Sequence, residues 1–96
     1  MKFVNHVTYC DDQERASALR PEHRKYASDL MTGGKLVTAG PFTDGSGALF
    51  IYEASSLDEA HILFENDPFT IGGVIARHDI RPWKILGVNS DLFVPD

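Results

Sequence analysis

The chain has 96 residues, enough for one domain with a single hydrophobic core. Hydrophobic residues make up 43% and charged residues 24% of the sequence, which excludes the disordered and fibrous classes. The formal net charge is −5 and the basic residues are scattered, so neither nucleic acid nor an anionic membrane is expected as a partner.

Cysteine content and hydropathy indicate a soluble cytoplasmic protein. Cys10 is the single cysteine, so it forms no internal disulfide, and it suits a reducing compartment. The N-terminal residues lack the apolar segment of a signal peptide, and no run of residues reaches membrane-spanning length. We expect one domain over residues 1–96, with its core at 1–84 and a C-terminal tail at 85–96.

The first predicted elements are a strand and a long helix. Phe3–Tyr9 has the composition of a strand. Asp11–Leu19 is polar and is predicted to be a loop, because Pro21 is typical of the first position of a helix. Gly33-Gly34 is expected to end that helix, since glycine accepts the left-handed conformation found at helix ends.

Two strands are predicted next, at Lys35–Ala39 and Ala48–Glu53, joined by a glycine-rich connection at 43–47. Side chains on both faces of the second of these strands are apolar, so both faces need cover. One layer of helices covers only one face. A second copy of the sheet is the predicted cover for the other face, which implies a homodimer.

The last predicted elements are a helix and a strand. Ser56 and Glu59 have the spacing of a capping box, and the helix that follows is expected to end near Asn66, before Pro68. A final strand is predicted at Val74–Arg81. The order strand–helix–strand–strand–helix–strand predicts an α+β, ferredoxin-like βαββαβ fold with both helices on one face of the sheet.

His23 and Asp67 are the predicted catalytic pair. In this topology the start of the first helix lies near the end of the second, so the two side chains are expected to meet. A histidine held by a carboxylate keeps one tautomer, and its other nitrogen exchanges a proton near neutral pH. The alternatives are a structural histidine and an aspartate that initiates a turn before Pro68.

Other residues at the same end of the sheet are predicted to bind a substrate. Arg20, just before the predicted helix, would meet an anionic group together with free backbone N–H groups, although a surface cation is the alternative. Tyr9 and Phe69 would form the walls of an aromatic site. Gly40 and Pro41 are also candidates, although they would equally suit a simple bend.

No metal or cofactor is expected. His6, His61 and His78 have no ligand spacing in common. Cys10 has no nearby base in the sequence and is expected to be inert.

Several short motifs, in this order and spacing, resemble the YCII-related (YciI-like) family over residues 1 to about 84. They are Arg20-Pro21-x-His23-x-x-Tyr26, Gly33-Gly34-Lys35-Leu36, Ala39-Gly40-Pro41, Asp67-Pro68-Phe69 and Arg81-Pro82-Trp83. The resemblance implies a ferredoxin-like chain that pairs into a dimeric α+β barrel. It also implies a His–Asp dyad, carried here by His23 and Asp67.

The best-defined activity of that family is dehydrochlorination of a chlorinated hydroxyhydroquinone, a lyase reaction in the degradation of aromatic compounds. The resemblance therefore implies a cofactor-free lyase in which His23 removes a ring-hydroxyl proton and Asp67 stabilises the imidazolium. Most of the family has no assigned activity. The alternative is a non-catalytic small-molecule-binding or accessory protein of the same fold.

Overall fold

The computed structural model describes the whole chain, Met1–Asp96, and contains four strands and three helices. In chain order they are β1 (Lys2–Tyr9), α1 (Gln13–Thr32), β2 (Leu36–Pro41), β3 (Gly47–Glu53), α2 (Leu57–Glu65), α3 (Pro68–Ile71) and β4 (Ile75–Trp83). The predicted α+β, ferredoxin-like order is confirmed, with a single-turn helix added after α2.

All neighbouring strands are antiparallel, in the order β2-β3-β1-β4. β1 is therefore a central strand, and its midpoint residue Asn5 lies opposite Phe50 of β3 and Ile80 of β4. Because side chains alternate along a strand, one set from β1 and β3 faces the helices and the other faces away from them.

The helix-covered face of the sheet forms the main hydrophobic core. Burial of each large apolar side chain there stabilises the fold by roughly 1.5–3 kcal/mol. The buried members are Phe3, Val7, Leu36, Ala48, Phe50, Tyr52, Ala54, Ala60 and Phe64. A smaller cluster beneath α3 consists of Ala16, Phe69 and Val74.

The opposite face of the sheet is apolar along β3 and lies under the C-terminal tail. Leu49 is 37% exposed there, whereas Ile51 is 7% exposed. A cavity of about 290 Å³ separates the tail from Val37, Ile51 and Trp83. Tail residues that line it include Leu92 and Phe93, which nevertheless stay largely exposed. The tail thus lies across this face without sealing it.

The predicted loop at Asp11–Leu19 is wrong, because α1 begins at Gln13. The side chain of Asp12 caps the helix by accepting a hydrogen bond from the backbone N–H of Arg15, at 3.0 Å. The residues between this cap and Pro21 are mostly strong helix formers, which favours the earlier start. Pro21 lies inside the helix on its exposed side, where the carbonyl that it leaves unpaired can bind water.

The predicted start of α2 is confirmed in its main contact. The backbone N–H of Glu59 donates to Oγ of Ser56 at 3.1 Å. The Glu59 carboxylate returns to the backbone N–H of Ser55 rather than to that of Ser56. α2 ends at Glu65, close to the expected end near Asn66, and Pro68 begins α3, a helix that the sequence did not predict.

Two strand boundaries also differ from the prediction. β2 continues through Gly40 and Pro41 instead of ending before them, and β4 runs from Ile75 to Trp83. Proline is tolerated at the end of β2 because β2 is an edge strand, with β3 as its single neighbour. No helix of the chain combines the length and apolar character that crossing a bilayer requires.

Gly47 and Gly40 should respond in opposite ways to alanine. A Cβ at Gly47 would lie 1.9 Å from the carbonyl oxygen of Val7, whereas a Cβ at Gly40 would have nothing within 4 Å. We expect Gly47→Ala to lower the free energy of unfolding by about 2 kcal/mol or more, as overpacked cores do. Gly40→Ala should change it by less than about 0.5 kcal/mol. Urea unfolding followed by circular dichroism measures both, and equal losses would contradict the strand packing described here.

Candidate active site

His23 and Asp67 are in direct contact where α1 meets the junction between α2 and α3. His23 projects from the middle of α1, and Asp67 lies at the junction between α2 and α3. The Nδ1–H of His23 donates to Oδ1 of Asp67 at 2.7 Å. The side chains are only 13% and 8% exposed. The structure thus brings together the two residues that were expected to meet, in a place largely shielded from solvent.

Asp67 is held in position by its own local structure. It is the N-cap of α3, and the same Oδ1 atom accepts a hydrogen bond from the backbone N–H of Phe69 at 2.9 Å. The following proline favours the extended backbone that Asp67 adopts. The turn-initiating role and the contact with His23 therefore coexist on one oxygen atom.

The imidazole of His23 is enclosed by two phenylalanine rings. Phe69 stacks on it with centroids 3.9 Å apart and an interplanar angle of 2°. Phe50 meets it edge-on at 6.0 Å and 85°. Because Asp67 accepts from Nδ1, that nitrogen carries the proton and Nε2 has the free lone pair. The arrangement can therefore take up and return a proton at Nε2.

The predicted position of His23 in the first turn of its helix is wrong. Since α1 begins at Gln13, His23 lies well inside it, and the free N–H groups of the helix terminus are distant. Arg20 likewise lies within α1, three residues before His23 and on the same side of the helix. Arg20 is therefore not beside those free N–H groups; it is half-buried and forms no ion pair.

Tyr9 links Arg20 to the dyad. Its ring meets Phe69 edge-on at 5.8 Å and 83°. Burial raises the pKa of Tyr9, the positive charge of Arg20 lowers it, and the negative charge of Asp67 raises it again. Both charges therefore act on the same phenol, whose ring contacts Phe69, the residue that stacks on His23.

Of the other predicted binding residues, one is nearly buried and two are exposed. Phe69 is at the site, but it is 2% exposed and its ring faces His23 and Tyr9. Gly40 and Pro41 are exposed residues of the edge strand β2, opposite Leu49 and Ala48.

Three polar residues near the dyad were not predicted to belong to the site. The hydroxyl of Tyr26 donates to the carbonyl oxygen of Leu63 at 2.7 Å. The amide of Asn5 donates to the hydroxyl of Tyr52 at 3.3 Å, and both side chains are buried. Burial raises the pKa of Tyr26 and of Tyr52, and the charge of Asp67 raises both further. The sequence signal that could have identified Asn5 was the presence of a polar residue at an inward-facing position of a strand.

Two of the histidines that have no ligand spacing in common in the sequence are neighbours in the structure. The rings of His61 and His78 have centroids 6.1 Å apart, and His78 also contacts Phe64 at 4.5 Å. No group of three or more histidine, cysteine or carboxylate side chains is placed to hold a metal ion.

Two cavities of the protein lie away from the dyad, on either side of Trp83. One, of about 550 Å³, is lined by Met1, Lys2 and residues 82–85. The other is the cavity of about 290 Å³ beneath the tail. Neither is lined by His23 or Asp67.

Comparison with known proteins shows the family to which this sequence belongs. The sequence model of the YCII-related domain matches residues 1–84. The chain belongs to the YCII-related family. The matched segment includes the dyad and stops before the tail that lies over the sheet.

Relatives within the YCII-related family include two bacterial proteins. Uncharacterised protein YjpA of Bacillus subtilis is 32% identical over 63 residues, covering 66% of this chain and 73% of that protein. Protein YciI of Escherichia coli is 28% identical over 93 residues, covering 82% of this chain and 95% of that protein.

Among solved structures, the chain is similar to 5-chloro-2-hydroxyhydroquinone dehydrochlorinase from Burkholderia phenoliruptrix in complex with 2,5-dihydroxybenzoquinone. The two share 29% sequence identity with a TM-score of 0.77, over 88% of this chain and 94% of that one. The likeness supports the ferredoxin-like fold of the YCII-related family.

Asp67 should tolerate asparagine better than alanine. Asp67→Ala removes the cap of α3 and leaves the Nδ1–H of His23 unpaired, so we expect a loss of about 2–4 kcal/mol in the free energy of unfolding. Asp67→Asn keeps an acceptor oxygen and should lose about 1 kcal/mol or less. Urea unfolding measures both, with Asp11→Asn in an exposed loop as the control. Equal stability of the alanine and asparagine variants would contradict the double role of Oδ1.

Proposed function

We propose that this protein is a cofactor-free lyase in which His23 is the acid–base group and Asp67 orients it. The observation that carries the proposal is the 2.7 Å contact between Nδ1 and Oδ1, made where both side chains are nearly buried. Membership in the YCII-related family and the likeness to a dehydrochlorinase support it. General acid–base help from a positioned imidazole raises a rate by roughly 10²–10⁴-fold.

The proposed substrate class is a chlorinated hydroxyhydroquinone, by analogy with the similar dehydrochlorinase. One ring-hydroxyl proton passes to Nε2 of His23 and from there to the chlorine-bearing carbon, giving a keto tautomer. A second hydroxyl proton then passes to Nε2, and the electron pair of that O–H bond moves into the ring as the C–Cl bond breaks. Chloride and a hydroxyquinone result. Overall the ring loses HCl, so no oxidant is required.

Charge around the dyad suits such a ring. As protons move to Nε2, negative charge develops on the ring oxygens, and a half-buried guanidinium without a carboxylate partner would stabilise that charge. We assign that contact to Arg20, with the phenol of Tyr9 beside it. Gly40 and Pro41 complete the proposed binding residues, for a ligand that extends towards β2.

A non-catalytic binding or accessory role is the second candidate, and one observation favours it. The dyad is little exposed, and the cavities beside Trp83 do not reach it. A protein that used those cavities to hold a small molecule would need no proton transfer at His23.

We also propose that the protein is a homodimer in which the tail-bearing sheet face meets a second copy. Leu49 and Val37 remain exposed on that face although they are apolar. A domain of this size hides only roughly 60–70% of its unfolded surface by itself, so burial of a further apolar face would stabilise it.

Replacing His23 separates the two candidate functions. We expect His23→Ala to lower chloride release from 5-chloro-2-hydroxyhydroquinone by about 10²–10⁴-fold, because the general base is lost. Binding of 2,5-dihydroxybenzoquinone, measured by calorimetry, should persist. His61→Ala, a histidine on α2 outside the dyad, is the matched control and should keep parental turnover.

Two results would contradict the lyase proposal. The first is parental turnover by the His23→Ala variant. The second is an absence of chloride release by the parent while the quinone still binds, which would favour the binding role.

The dimer proposal is tested by charge on the exposed sheet face. Leu49→Lys places a cation on each side of the proposed interface, and burying unpaired charges there is unfavourable, so the dimer should dissociate. Light scattering coupled to size-exclusion chromatography measures the mass. Ile62→Lys, at an exposed apolar position on α2, is the control and should leave the mass unchanged. A parent that is monomeric at all concentrations would refute the proposal.

A further inference from the structure

We propose that Phe69 is a positioning residue that holds the His23 imidazole in its working orientation, rather than a wall of the ligand site. Phe69 touches both members of the dyad. Its backbone N–H donates to Oδ1 of Asp67 at 2.9 Å, and its ring stacks on His23 at 3.9 Å. No other residue of the chain forms contacts of both kinds.

The two contacts restrain the imidazole in different ways. The hydrogen bond from Nδ1 to Asp67 holds one edge of the imidazole, but rotation of the ring about its Cβ–Cγ bond would break that hydrogen bond. The phenylalanine ring, parallel within 2°, opposes this rotation because it covers one whole face of the imidazole. With both contacts in place, the direction of Nε2 is determined.

Phe69 is itself rigidly anchored. It is 2% exposed, belongs to the small core cluster with Ala16 and Val74, and receives the edge of Tyr9 at 5.8 Å. The backbone of α3 adds a further restraint, because the N–H of Val74 donates to the carbonyl oxygen of Phe69 at 2.9 Å. A side chain packed in this way can position another group but has little surface left for a ligand.

Phe69→Leu tests the proposal, because leucine keeps the apolar packing and lacks a flat ring. In the ligand-free protein, ¹⁵N signals of the His23 ring report which nitrogen carries the proton. The parent should show a single tautomer protonated at Nδ1. In the Phe69→Leu protein the imidazole should rotate away from Oδ1 of Asp67 for part of the time, so its signals should move towards the average of the two tautomers. Phe69→Tyr, which retains the flat ring, should restore the parental signals.

Phe64→Leu is the matched control. Phe64 is a buried phenylalanine of α2 whose ring contacts His78 instead of His23. Its replacement removes a similar volume from the core and should leave the His23 signals at their parental positions. If the leucine variant at position 69 fails to fold, Phe69→Met, with an unbranched apolar side chain, takes its place.

Kinetics provide a second measurement, and this one rests on the proposed lyase function. A misdirected Nε2 should lower kcat by about 10–100-fold while KM stays within about twofold, since positioning affects the transition state more than binding. The NMR measurement needs no activity, so it decides the role of Phe69 even if the lyase proposal fails.

The proposal is overturned if Phe69→Leu moves the His23 signals no more than Phe64→Leu does. In that case a lower affinity of the Phe69→Leu protein for 2,5-dihydroxybenzoquinone, with unchanged His23 signals, would assign Phe69 to the ligand wall instead.

Discussion

One carboxylate oxygen organises this protein. Oδ1 of Asp67 accepts one hydrogen bond from the backbone that begins α3 and another from His23 of α1. Both donors are N–H groups, and a carboxylate oxygen can accept two of them. A single atom therefore joins α1 to the junction between α2 and α3. Local structure and the candidate active site cannot be separated here.

The dyad contacts the sheet as well as the helices. Topology predicted it at one end of the sheet, between the first and second helices. In the structure α1 starts earlier, so His23 lies in the middle of that helix, and Asp67 lies between α2 and α3. Phe50, directly opposite Asn5 in the register, meets the imidazole edge-on. The surroundings of the imidazole are consequently aromatic and nearly dry, where electrostatic contacts are stronger than in water.

The parts of the fold that the sequence predicted are those with strong local signals. The strand β3 was predicted from its continuous run of apolar residues, α2 from its Ser56 cap, and the end of α1 from the glycines that follow it. The start of α1 was missed because Asp12 and Pro21 are both typical of helix starts. The helix formers between them favour the start at Asp12, which is the one found in the structure. The meeting of His23 and Asp67 followed from topology. The stacking of Phe69 did not, because α3 has only four residues and no periodicity that would orient a ring.

The tail has a consequence for assembly. It lies over the sheet face that contains Ile51, and it leaves Leu49 accessible. A second chain that packed against Ile51, as the proposed dimer requires, would have to displace the last residues of the first chain. Residues 85–96 and the second copy would therefore compete for the same apolar surface.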